Sequence, residues 1–325
     1  MTTYDVIVIG AGPAGLAAAI TARALRMRAL VLEAGPHAGG QLLNNPTPIV
    51  DSPGLQVDSG PALAERLLEH LIELGGEVRA GAEVRRVDAA AGAVETAEAT
   101  FTATALLLAT GATRRRLGVP GEADEPGRGL SPAARRYGSR FAGRPMLVVG
   151  GGDVALEEAA LLARICPRVV LVHRGERLGG RPDFRAAALR CANLEPRMQT
   201  QLLAIEGDER VEAARLRGPD GECVVEAAGV VICAGLAARS ELVAGQCGLD
   251  DRGFVRVDTR QRTDAARLYA AGDVCAGSTW TVAAAIGQAA VAIKDLERRI
   301  AAGEFAAGPR EDDPFAPTSF EGHDA

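Results

Sequence analysis

The chain contains two glycine-rich turns of the kind that bind dinucleotides. They are Gly10-Ala11-Gly12-Pro13-Ala14-Gly15 and Gly150-Gly151-Gly152-Asp153-Val154-Ala155. An apolar run at 6–9 or 146–149 precedes each turn, and an alanine-rich stretch follows it. A strand, a tight turn and a helix are the context that the dinucleotide fingerprint requires. The sequence therefore predicts an α/β fold with two Rossmann-like, three-layer ββα domains, and two bound dinucleotides.

The order of the apolar runs indicates that the second domain is inserted into the first. A Gly/Pro-rich, charged stretch at 118–129 separates the two fingerprints, and the chain returns to an apolar run at 268–271. We predict a discontinuous first domain at 1–117 and 241–325 and a second domain at 118–240. Gly10 and Glu33 are 23 residues apart (33 minus 10), as are Gly150 and His173 (173 minus 150). The equal spacing is typical of an ancient duplication.

The first site has the residues of a pyrophosphate and ribose site. Its glycines permit a sharp turn and a close backbone approach, and the following helix presents free N–H groups and a positive dipole end. Glu33 stands at the end of the predicted second strand, where a carboxylate can accept hydrogen bonds from a ribose diol.

The second site differs at the position that selects the ribose. His173-Arg174 stands where Glu33 stands in the first site. A positive group suits a 2′-phosphate that a carboxylate would repel, which favours NADP(H) over NAD(H). Arg177, Arg181 and Arg185 follow, and they either form an anion clamp or belong to a solvated basic loop.

The cysteines do not form a redox pair in sequence. No Cys-x-x-Cys occurs, and the six residues are Cys166, Cys191, Cys223, Cys233, Cys247 and Cys275. Their spacing fits neither a metal site nor a dithiol, so we interpret them as small buried hydrophobes. Electrons that pass between the two dinucleotides must then leave by another route.

Composition excludes several classes of function. The chain has 325 residues, 47% of them hydrophobic, and a formal charge of -6, so no broad positive field is available for nucleic acid. The apolar runs are too short for a membrane span, and the N-terminal residues lead directly into a strand without a signal peptide. We expect a cytoplasmic protein that binds neither nucleic acid nor membrane and needs no metal.

Six segments in order along the chain resemble the low-molecular-weight thioredoxin reductases and their relatives. They lie at 8–15, 39–42, 109–112, 127–131, 148–153 and 270–274. The resemblance implies FAD at the first site, NADPH or alternatively NADH at the second, and a homodimer. It also implies that Gly40, Gln41 and Leu42 line the flavin and that Val84 meets the adenine through its backbone.

The resemblance places Asp273 at the ribityl chain or pyrophosphate, and the start of a helix at Thr281 and Val282 near the flavin N1 and C2 carbonyl. Trp280 either packs on the flavin or caps the core. Expected cofactor-binding residues at the first site are Gly10, Gly12, Pro13, Ala14, Gly15, Glu33, Ala34, Gly40, Gln41, Leu42, Asp51, Val84, Ala109, Thr110, Gly111, Gly272, Asp273, Thr281 and Val282. Those at the second are Gly150, Gly152, Asp153, Val154, Ala155, His173, Arg174, Arg177 and Arg181.

The chain departs from this family in two places. Ala133 and Arg136 stand where the disulfide reductases carry their redox cysteines, and Gly175 replaces the second arginine of a His-Arg-Arg run. A dithiol relay is therefore impossible at that position. Cysteine-free relatives, the thioredoxin-reductase-like ferredoxin or flavodoxin NADP reductases, carry a C-terminal aromatic ring over the flavin. Phe315 or Phe320 is the candidate for this ring, with a disordered terminus as the alternative.

Three functions follow from these features. The leading one is an FAD-dependent NAD(P)H oxidoreductase that passes electrons through the flavin to an external acceptor, such as ferredoxin, flavodoxin or a small molecule, with His37 the single candidate for a general acid. The second is an electron-transfer or sensing module whose second site holds another flavin or no pyridine nucleotide. The third is a disulfide reductase that uses remote cysteines such as Cys166 or Cys275.

Overall fold

The computed structural model describes residues 3–45, 48–49, 52–54, 56–122, 130–131 and 138–305. The chain divides into unit 1, Met1–Thr113 with Ala237–Ala325, and unit 2, Arg114–Leu236. Both divisions fall four residues before the predicted boundaries (117 minus 113 and 240 minus 236). The chain passes between the units in segments 112–114 and 236–238, which pair as a two-stranded ribbon. Both unit boundaries lie within this ribbon.

In chain order, the described strands are β1 (Thr3–Ile9), β2 (Ala29–Leu32), β3 (Glu77–Arg79), β4 (Arg86–Asp88), β5 (Ala93–Glu95), β6 (Thr100–Leu108), β7 (Ala112–Arg114), β8 (Leu130–Ser131), β9 (Met146–Val149), β10 (Val169–Val172), β11 (Leu194–Arg197), β12 (Gln201–Glu206), β13 (Ala213–Gly218), β14 (Gly221–Glu226), β15 (Gly229–Ile232), β16 (Leu236–Ala238) and β17 (Leu268–Ala270). The α-helices are α1 (Pro13–Ala24), α2 (Gly60–Glu73), α3 (Asp153–Ala163), α4 (Pro182–Leu189) and α5 (Val282–Ala301). Short 3-10 helices cover Gly40–Asn44, Gly138–Phe141 and Glu241–Val243.

Unit 1 is built on a mixed sheet. Its strand order is β3-β2-β1-β6-β5-β4, and β17 also pairs with β6. Strands β3, β2, β1, β6 and β17 run parallel, with Val8 opposite both Val31 and Leu107. All three of these residues are buried, as expected for parallel strands that are covered on both faces. The carboxyl ends of the parallel strands therefore meet at one edge, and the fingerprint turn follows β1 there.

Helices α1 and α5 cover one face of this sheet. Their contact is made by small side chains, including Ala18, Ala22, Ala289 and Ala292, all fully buried. Alanine keeps helix propensity high and lets two helix backbones approach closely. The alanine-rich stretch after the first fingerprint is therefore explained by packing.

A buried carboxylate anchors α5 to the sheet. Asp295 is 2% exposed and accepts from two guanidinium nitrogens of Arg262 at 2.5 and 2.6 Å and from the Tyr269 hydroxyl at 3.0 Å. A bidentate arginine pair fixes geometry as well as charge. Because Tyr269 belongs to β17, this network ties the middle of α5 to the sheet edge that carries the cleft described below.

Unit 2 repeats the parallel arrangement. Its strand order is β11-β10-β9-β15-β8, and Leu147 lies opposite both Val170 and Val230. A separate antiparallel sheet, β12-β13-β14, packs its buried residues against the same apolar cluster as β9, β10 and β15. The second fingerprint turn follows β9, at the carboxyl edge of the parallel sheet.

Two predicted elements have different bounds in the structure. The sequence pattern predicts an amphipathic helix around Ala62 to Leu74, but helix α2 begins at Gly60, where Ser59 caps it by accepting from the Ala62 N–H at 3.3 Å. The pattern also predicts a strand near Glu77 to Val84, but β3 ends at Arg79, because the chain turns through Gly81 at a φ of +72°. Among the described residues, no helix is long and apolar enough to cross a membrane.

Candidate functional site

A cleft of about 990 Å³ opens in unit 1 where β1, β2, β6 and β17 end. Open α/β sheets bind their ligands at this edge. Most residues expected at the first site line it: Gly10, Gly12, Pro13, Ala14, Glu33, Ala34, Gly40, Gln41, Leu42, Val84, Ala109, Thr110, Gly111, Gly272, Asp273, Thr281 and Val282. Asp51, Phe315 and Phe320 lie outside the described residues, as do Ala133 and Arg136.

The first fingerprint turn uses its three glycines differently. Gly10 has a φ of +102°, and a Cβ there would lie 2.6 Å from the Ala109 carbonyl oxygen. A Cβ on Gly15 would overlap the Gly10 carbonyl oxygen, so Gly15 permits helix packing and does not line the cleft. A Cβ on Gly12 would meet no atom within 4 Å, which leaves open space for a ligand.

The N-terminus of α1 faces this open space. Pro13 is its first residue, and the N-cap residue is Gly12, which has no side chain to accept from the first N–H groups of the helix. The first N–H groups of the helix therefore keep their hydrogen-bonding capacity, and the helix dipole adds a partial positive charge. This is the arrangement that binds a pyrophosphate.

The carboxylate of Glu33 is held by two backbone amides. The Ala11 N–H donates to Oε2 at 2.7 Å and the Gly35 N–H donates to Oε1 at 2.8 Å. Both oxygens are thus oriented at the end of β2, and each retains a lone pair for another donor. The position and orientation suit a ribose diol.

A second glycine turn packs on the first. The Gly39 N–H donates to the Ala11 carbonyl at 2.7 Å, and a Cβ on Gly40 would lie 2.9 Å from the Gly12 Cα. The Gln41 side chain that follows donates to the Ala112 carbonyl at 3.1 Å and to Asp273 Oδ2 at 3.2 Å. The cleft wall is therefore cross-linked between the start of the chain and the returning segment.

Asp273 is the carboxylate on the far wall of the cleft. Burial raises the pKa of this carboxyl, while hydrogen bonds from Ser278 and Gln41 act to lower it. A polar, partly buried carboxylate beside a ligand cleft can accept from hydroxyl groups of a bound molecule.

Helix α5 begins at the cleft. Thr281 is its N-cap and accepts from the Ala284 N–H at 3.2 Å, and both Thr281 and Val282 line the cleft. Trp280, just before the cap, has a φ of +54° and is 48% exposed, and it lines the cleft as well. The alternative that Trp280 caps the core is therefore wrong.

His37, the candidate for a general acid, lines the cleft. Arg239, Glu241 and Leu242 also line it, and no sequence signal marks these three. The Thr110 hydroxyl donates to the Arg239 carbonyl at 2.5 Å, and the Arg239 N–H donates to the Gly111 carbonyl at 3.0 Å. Only the tertiary return of the chain beside Thr110 brings this segment to the site, so no motif could have revealed it.

The second fingerprint turn has the same backbone arrangement in unit 2. Gly150 has a φ of +145°, and a Cβ there would lie 2.6 Å from the Cys233 carbonyl oxygen, while Gly152 is again open. Val154 is 51% exposed, but Ala155 is 1% exposed. Ala155 therefore supports the turn from beneath, as Gly15 does in unit 1, and is not available to a ligand.

Two of the three arginines of the predicted clamp, Arg181 and Arg185, have partners within the protein, and the clamp stays a prediction. Arg181 donates its backbone N–H to Asp153 at 2.6 Å, its guanidinium lies 3.6 Å from the same carboxylate, and it stacks 4.0 Å above the Phe184 ring. Arg185 donates to the Leu178 carbonyl at 3.3 Å. These contacts tie the loop to the start of α3, and the Arg181 guanidinium remains exposed.

Arg174 and Arg177 are the cations of this loop that remain available. Both are exposed, and neither has an ion-pair partner among the residues that the structure describes. His173 is half-buried, and its ring lies against Gly151 and Gly175. The second site therefore combines an open turn with two free guanidinium groups and no carboxylate at the ribose position.

All six cysteines are free thiols, and they differ in exposure. Cys166 and Cys275, the examples of remote cysteines in the third hypothesis, are buried, whereas Cys223 is exposed and the other three are partly buried, so the interpretation of all six as buried hydrophobes is wrong for Cys223. Burial raises the pKa of the Cys166 and Cys275 thiols, that of Cys275 to about 12. Since the thiolate is the attacking species in disulfide exchange, these groups are poorly suited to it.

Comparison with known proteins identifies the class of this enzyme. Residues 4–294 match the model of the pyridine nucleotide-disulphide oxidoreductase family, and the chain belongs to that family. It is an FAD-dependent pyridine-nucleotide oxidoreductase of the thioredoxin reductase type, with FAD and NADPH as its cofactors. The family resemblance, the fold class and the cofactor pair predicted from the sequence are thereby confirmed.

The chain is similar to several bacterial thioredoxin reductases. That of Mycolicibacterium smegmatis is 35% identical over 311 residues, which cover 92% of this chain and 97% of the relative. That of Listeria monocytogenes is 33% identical over 301 residues, which cover 91% of this chain and 94% of the relative. Among solved structures, Lactococcus lactis thioredoxin reductase in its FR conformation has a TM-score of 0.80 at 29% identity and covers 92% of this chain and 100% of that one.

Proposed function

We propose that this enzyme transfers electrons from NADPH through FAD to an acceptor outside its own chain, without a cysteine pair. The observation that carries the proposal is the cysteine spacing, since the closest two, Cys223 and Cys233, are ten residues apart (233 minus 223). The unfavourable thiol pKa values of Cys166 and Cys275 support it. Suitable acceptors are a carrier protein such as ferredoxin or flavodoxin, or a small oxidant.

We assign the FAD to the cleft of unit 1, which passes three tests of fit. The α1 N-terminus and the open Gly12 suit a pyrophosphate, the anchored Glu33 carboxylate suits the adenosine ribose, and the Thr281-capped start of α5 suits the flavin edge on which negative charge develops. When bound, FAD supplies the redox chemistry by accepting a hydride and releasing electrons singly or in pairs.

In this assignment the protein contributes position and electrostatics. Gln41 and Asp273 hold opposite walls of the cleft together, and the remaining free N–H groups at the start of α5 stabilise negative charge that develops nearby. Trp280 lines one side of the site. We further propose that the enzyme works as a cytoplasmic homodimer, as the family resemblance implies.

An anaerobic titration tests the proposal directly. FAD-loaded protein should bleach fully with one equivalent of NADPH per flavin and should then reduce ferricyanide and a ferredoxin or flavodoxin. A variant with all six cysteines changed to serine should keep this turnover, and neither protein should reduce thioredoxin disulfide. Loss of turnover in the cysteine-free variant, with FAD still bound, would contradict the proposal.

A second candidate is an electron-transfer module with another flavin in unit 2. It is favoured by Gly179-Gly180, which repeats the Gly39-Gly40 turn of the first site at the same distance from its fingerprint, 29 residues (39 minus 10 and 179 minus 150). The flavin count decides between the two candidates. One flavin per chain supports the leading proposal, whereas two flavins and no bleaching by NADPH support the second.

A further inference from the structure

Trp280 holds a backbone conformation that is unfavourable for its side chain. Its φ of +54° lies in the left-handed region, which this chain otherwise fills almost entirely with glycine. Among the described residues, the other non-glycine exceptions are Arg26, Gln199 and Gln261, all of them polar. Trp280 is also the one tryptophan of the chain. Residues held in such conformations cluster at functional sites, where the surrounding structure keeps them in place.

Hydrogen bonds on both sides hold the backbone of Trp280. Its N–H donates to the Ser278 hydroxyl oxygen at 3.2 Å, and the Ser278 side chain is also hydrogen-bonded to the Asp273 carboxylate. On the other side, Thr281 caps α5 by accepting from the Ala284 N–H at 3.2 Å. Trp280 is therefore fixed between the far wall of the cleft and the start of a 20-residue helix.

The packing of the core does not explain the indole ring. Trp280 is 48% exposed, and the neighbouring residues that pack into apolar clusters are Val282 and Ala285. Of the large hydrophobic residues described along the cleft wall, one other, Leu43, is more than a third exposed (38%). An exposed aromatic ring offers its face to another planar group, because ring stacking gains free energy beyond the burial of apolar surface. Trp280 therefore has the properties of a stacking surface within the ligand cleft.

The charged side chains of the cleft wall favour a neutral acceptor. The carboxylates outnumber the basic groups, since the cleft is lined by Glu33, Glu83, Glu241 and Asp273 against Arg239 and His37. A wall with surplus negative charge repels an anion and has little effect on the approach of a neutral molecule. Among the acceptors of the proposed function, a neutral small oxidant is therefore favoured over an anion such as ferricyanide.

We propose that Trp280 binds the electron acceptor, and that the preferred acceptor is a neutral, planar quinone-type oxidant that stacks on the indole ring in the unit 1 cleft. This inference rests on the proposed electron transfer through FAD, and it names the class of the small oxidant. The net reaction is NADPH + H⁺ + quinone → NADP⁺ + hydroquinone. NADPH supplies two electrons and one proton as a hydride, and the second proton comes from water. Trp280 itself exchanges neither electrons nor protons and acts as an acceptor-binding residue.

The acceptor selectivity of Trp280 variants tests the proposal. NADPH-dependent turnover per bound flavin is measured with a dimethylnaphthoquinone, which is neutral and planar and has no free quinone carbon for a thiol to attack, and with ferricyanide, which is anionic and not planar. Trp280→Phe keeps an aromatic ring, whereas Trp280→Asn suits the left-handed conformation and removes the ring.

We expect Trp280→Asn to lower the ratio of the quinone kcat/KM to the ferricyanide kcat/KM by about tenfold, through a higher KM for the quinone, because the stacking surface is lost. Trp280→Phe should keep most of the wild-type ratio. Leu43→Ala removes the other exposed apolar side chain of the cleft wall and is the matched control. Its effect on the two acceptors should be equal, so its ratio should match that of the wild type.

Nuclear magnetic resonance of the oxidised, FAD-loaded full chain gives a second readout that needs neither a variant nor turnover. The one tryptophan gives one indole N–H signal. Titration with the quinone should shift this signal to saturation, whereas ferrocyanide, the diamagnetic product of the anionic acceptor, should leave it unchanged.

An unchanged ratio in Trp280→Asn, an equal fall of the ratio in Leu43→Ala, or an indole signal that the quinone does not shift would overturn the inference. The proposed function would stand as long as the wild type bleaches with NADPH and reduces ferricyanide. A wild type that NADPH does not bleach would instead overturn the proposed function and the inference with it.

Discussion

Unit 1 and unit 2 use one backbone frame with different side chains at its two most informative positions. In unit 1, Glu33 closes the hydrogen bonds of the turn within the protein. In unit 2, His173 stands at the position of Glu33, so the negative charge is absent, and the N–H groups of Gly151 and Gly175 donate to no residue in the described part of the chain. The difference indicates that the two copies of a duplicated nucleotide site are distinguished by the residue that ends the second strand.

The units also differ beneath the turn, where unit 1 has Gly15 and unit 2 has Ala155 (15 plus 140, the offset between Gly10 and Gly150). A Cβ on Gly15 would overlap the Gly10 carbonyl oxygen, whereas unit 2 already holds the Ala155 methyl group in its core. Helix and strand therefore approach more closely in unit 1.

Exchanging these two residues should give the largest effect. Gly15→Ala forces α1 away from β1, and overpacking of this kind costs about 1 to 3 kcal/mol of stability. Because the displaced helix end belongs to the FAD site, we expect a similar loss of binding free energy, which is about a 10- to 100-fold loss of FAD affinity. The reciprocal Ala155→Gly costs at most about 1 kcal/mol through helix propensity and should leave FAD binding unchanged. The amount of FAD retained per chain after gel filtration is measured for both variants. Equal FAD loss in the two variants would mean that the units are not packed differently.

A smaller effect is expected from removing the charge that distinguishes the two ribose positions. In Glu33→Gln the amide can accept from only one of the Ala11 and Gly35 N–H groups, so one charge-assisted hydrogen bond is lost. We expect FAD to bind about tenfold more weakly to the apoprotein, as measured by quenching of flavin fluorescence. Glu176→Gln, an exposed carboxylate of the unit 2 loop, is the control. An unchanged affinity in Glu33→Gln would show that the carboxylate only braces the turn.

The sequence predicted the places of Glu33 and His173 because strand pairing restricts the path of the chain after each fingerprint turn. A tight turn, a helix and a return to the neighbouring parallel strand bring the residue 23 positions later to the edge beside the turn, and this predicted Glu33 and His173. The same argument could not identify Arg239 or Leu242 as cleft residues, because their place depends on how the chain returns from unit 2.

The loop arginines show a second limit of sequence reasoning. A run of cations predicts an anion site, but the sequence does not tell which charge is already neutralised within the fold. Arg181 is paired with Asp153 because the glycines at 179 and 180 let the loop lie on the start of α3, a contact set by backbone conformation. Trp280 is a similar case, since its left-handed φ turns it to the cleft and not to the core.

The smallest expected effect concerns the residue that follows the glycine pair in each unit, Gln41 in unit 1 and Arg181 in unit 2 (41 plus 140). Gln41 reaches Asp273 on the returning segment, whereas Arg181 folds back on Asp153. Burial raises the pKa of Asp273 above its ordinary 3.8, so its ionised form is less stable in the folded protein than in the unfolded chain. This carboxylate therefore destabilises the apoprotein at neutral pH, and the penalty fades as the pH falls through the raised pKa.

Asp273→Asn should accordingly raise the melting temperature of the apoprotein at pH 7 by about 2 °C and have no effect near pH 3. Arg181→Gln, which breaks an exposed ion pair worth at most about 1 kcal/mol, should lower it slightly or leave it unchanged. Scanning calorimetry of both variants across this pH range makes the comparison. A lower melting temperature for Asp273→Asn at pH 7 would mean that the hydrogen bonds from Gln41 and Ser278 outweigh the cost of burying the charge, and that unit 1, like unit 2, closes its glycine turn with a stabilising polar contact.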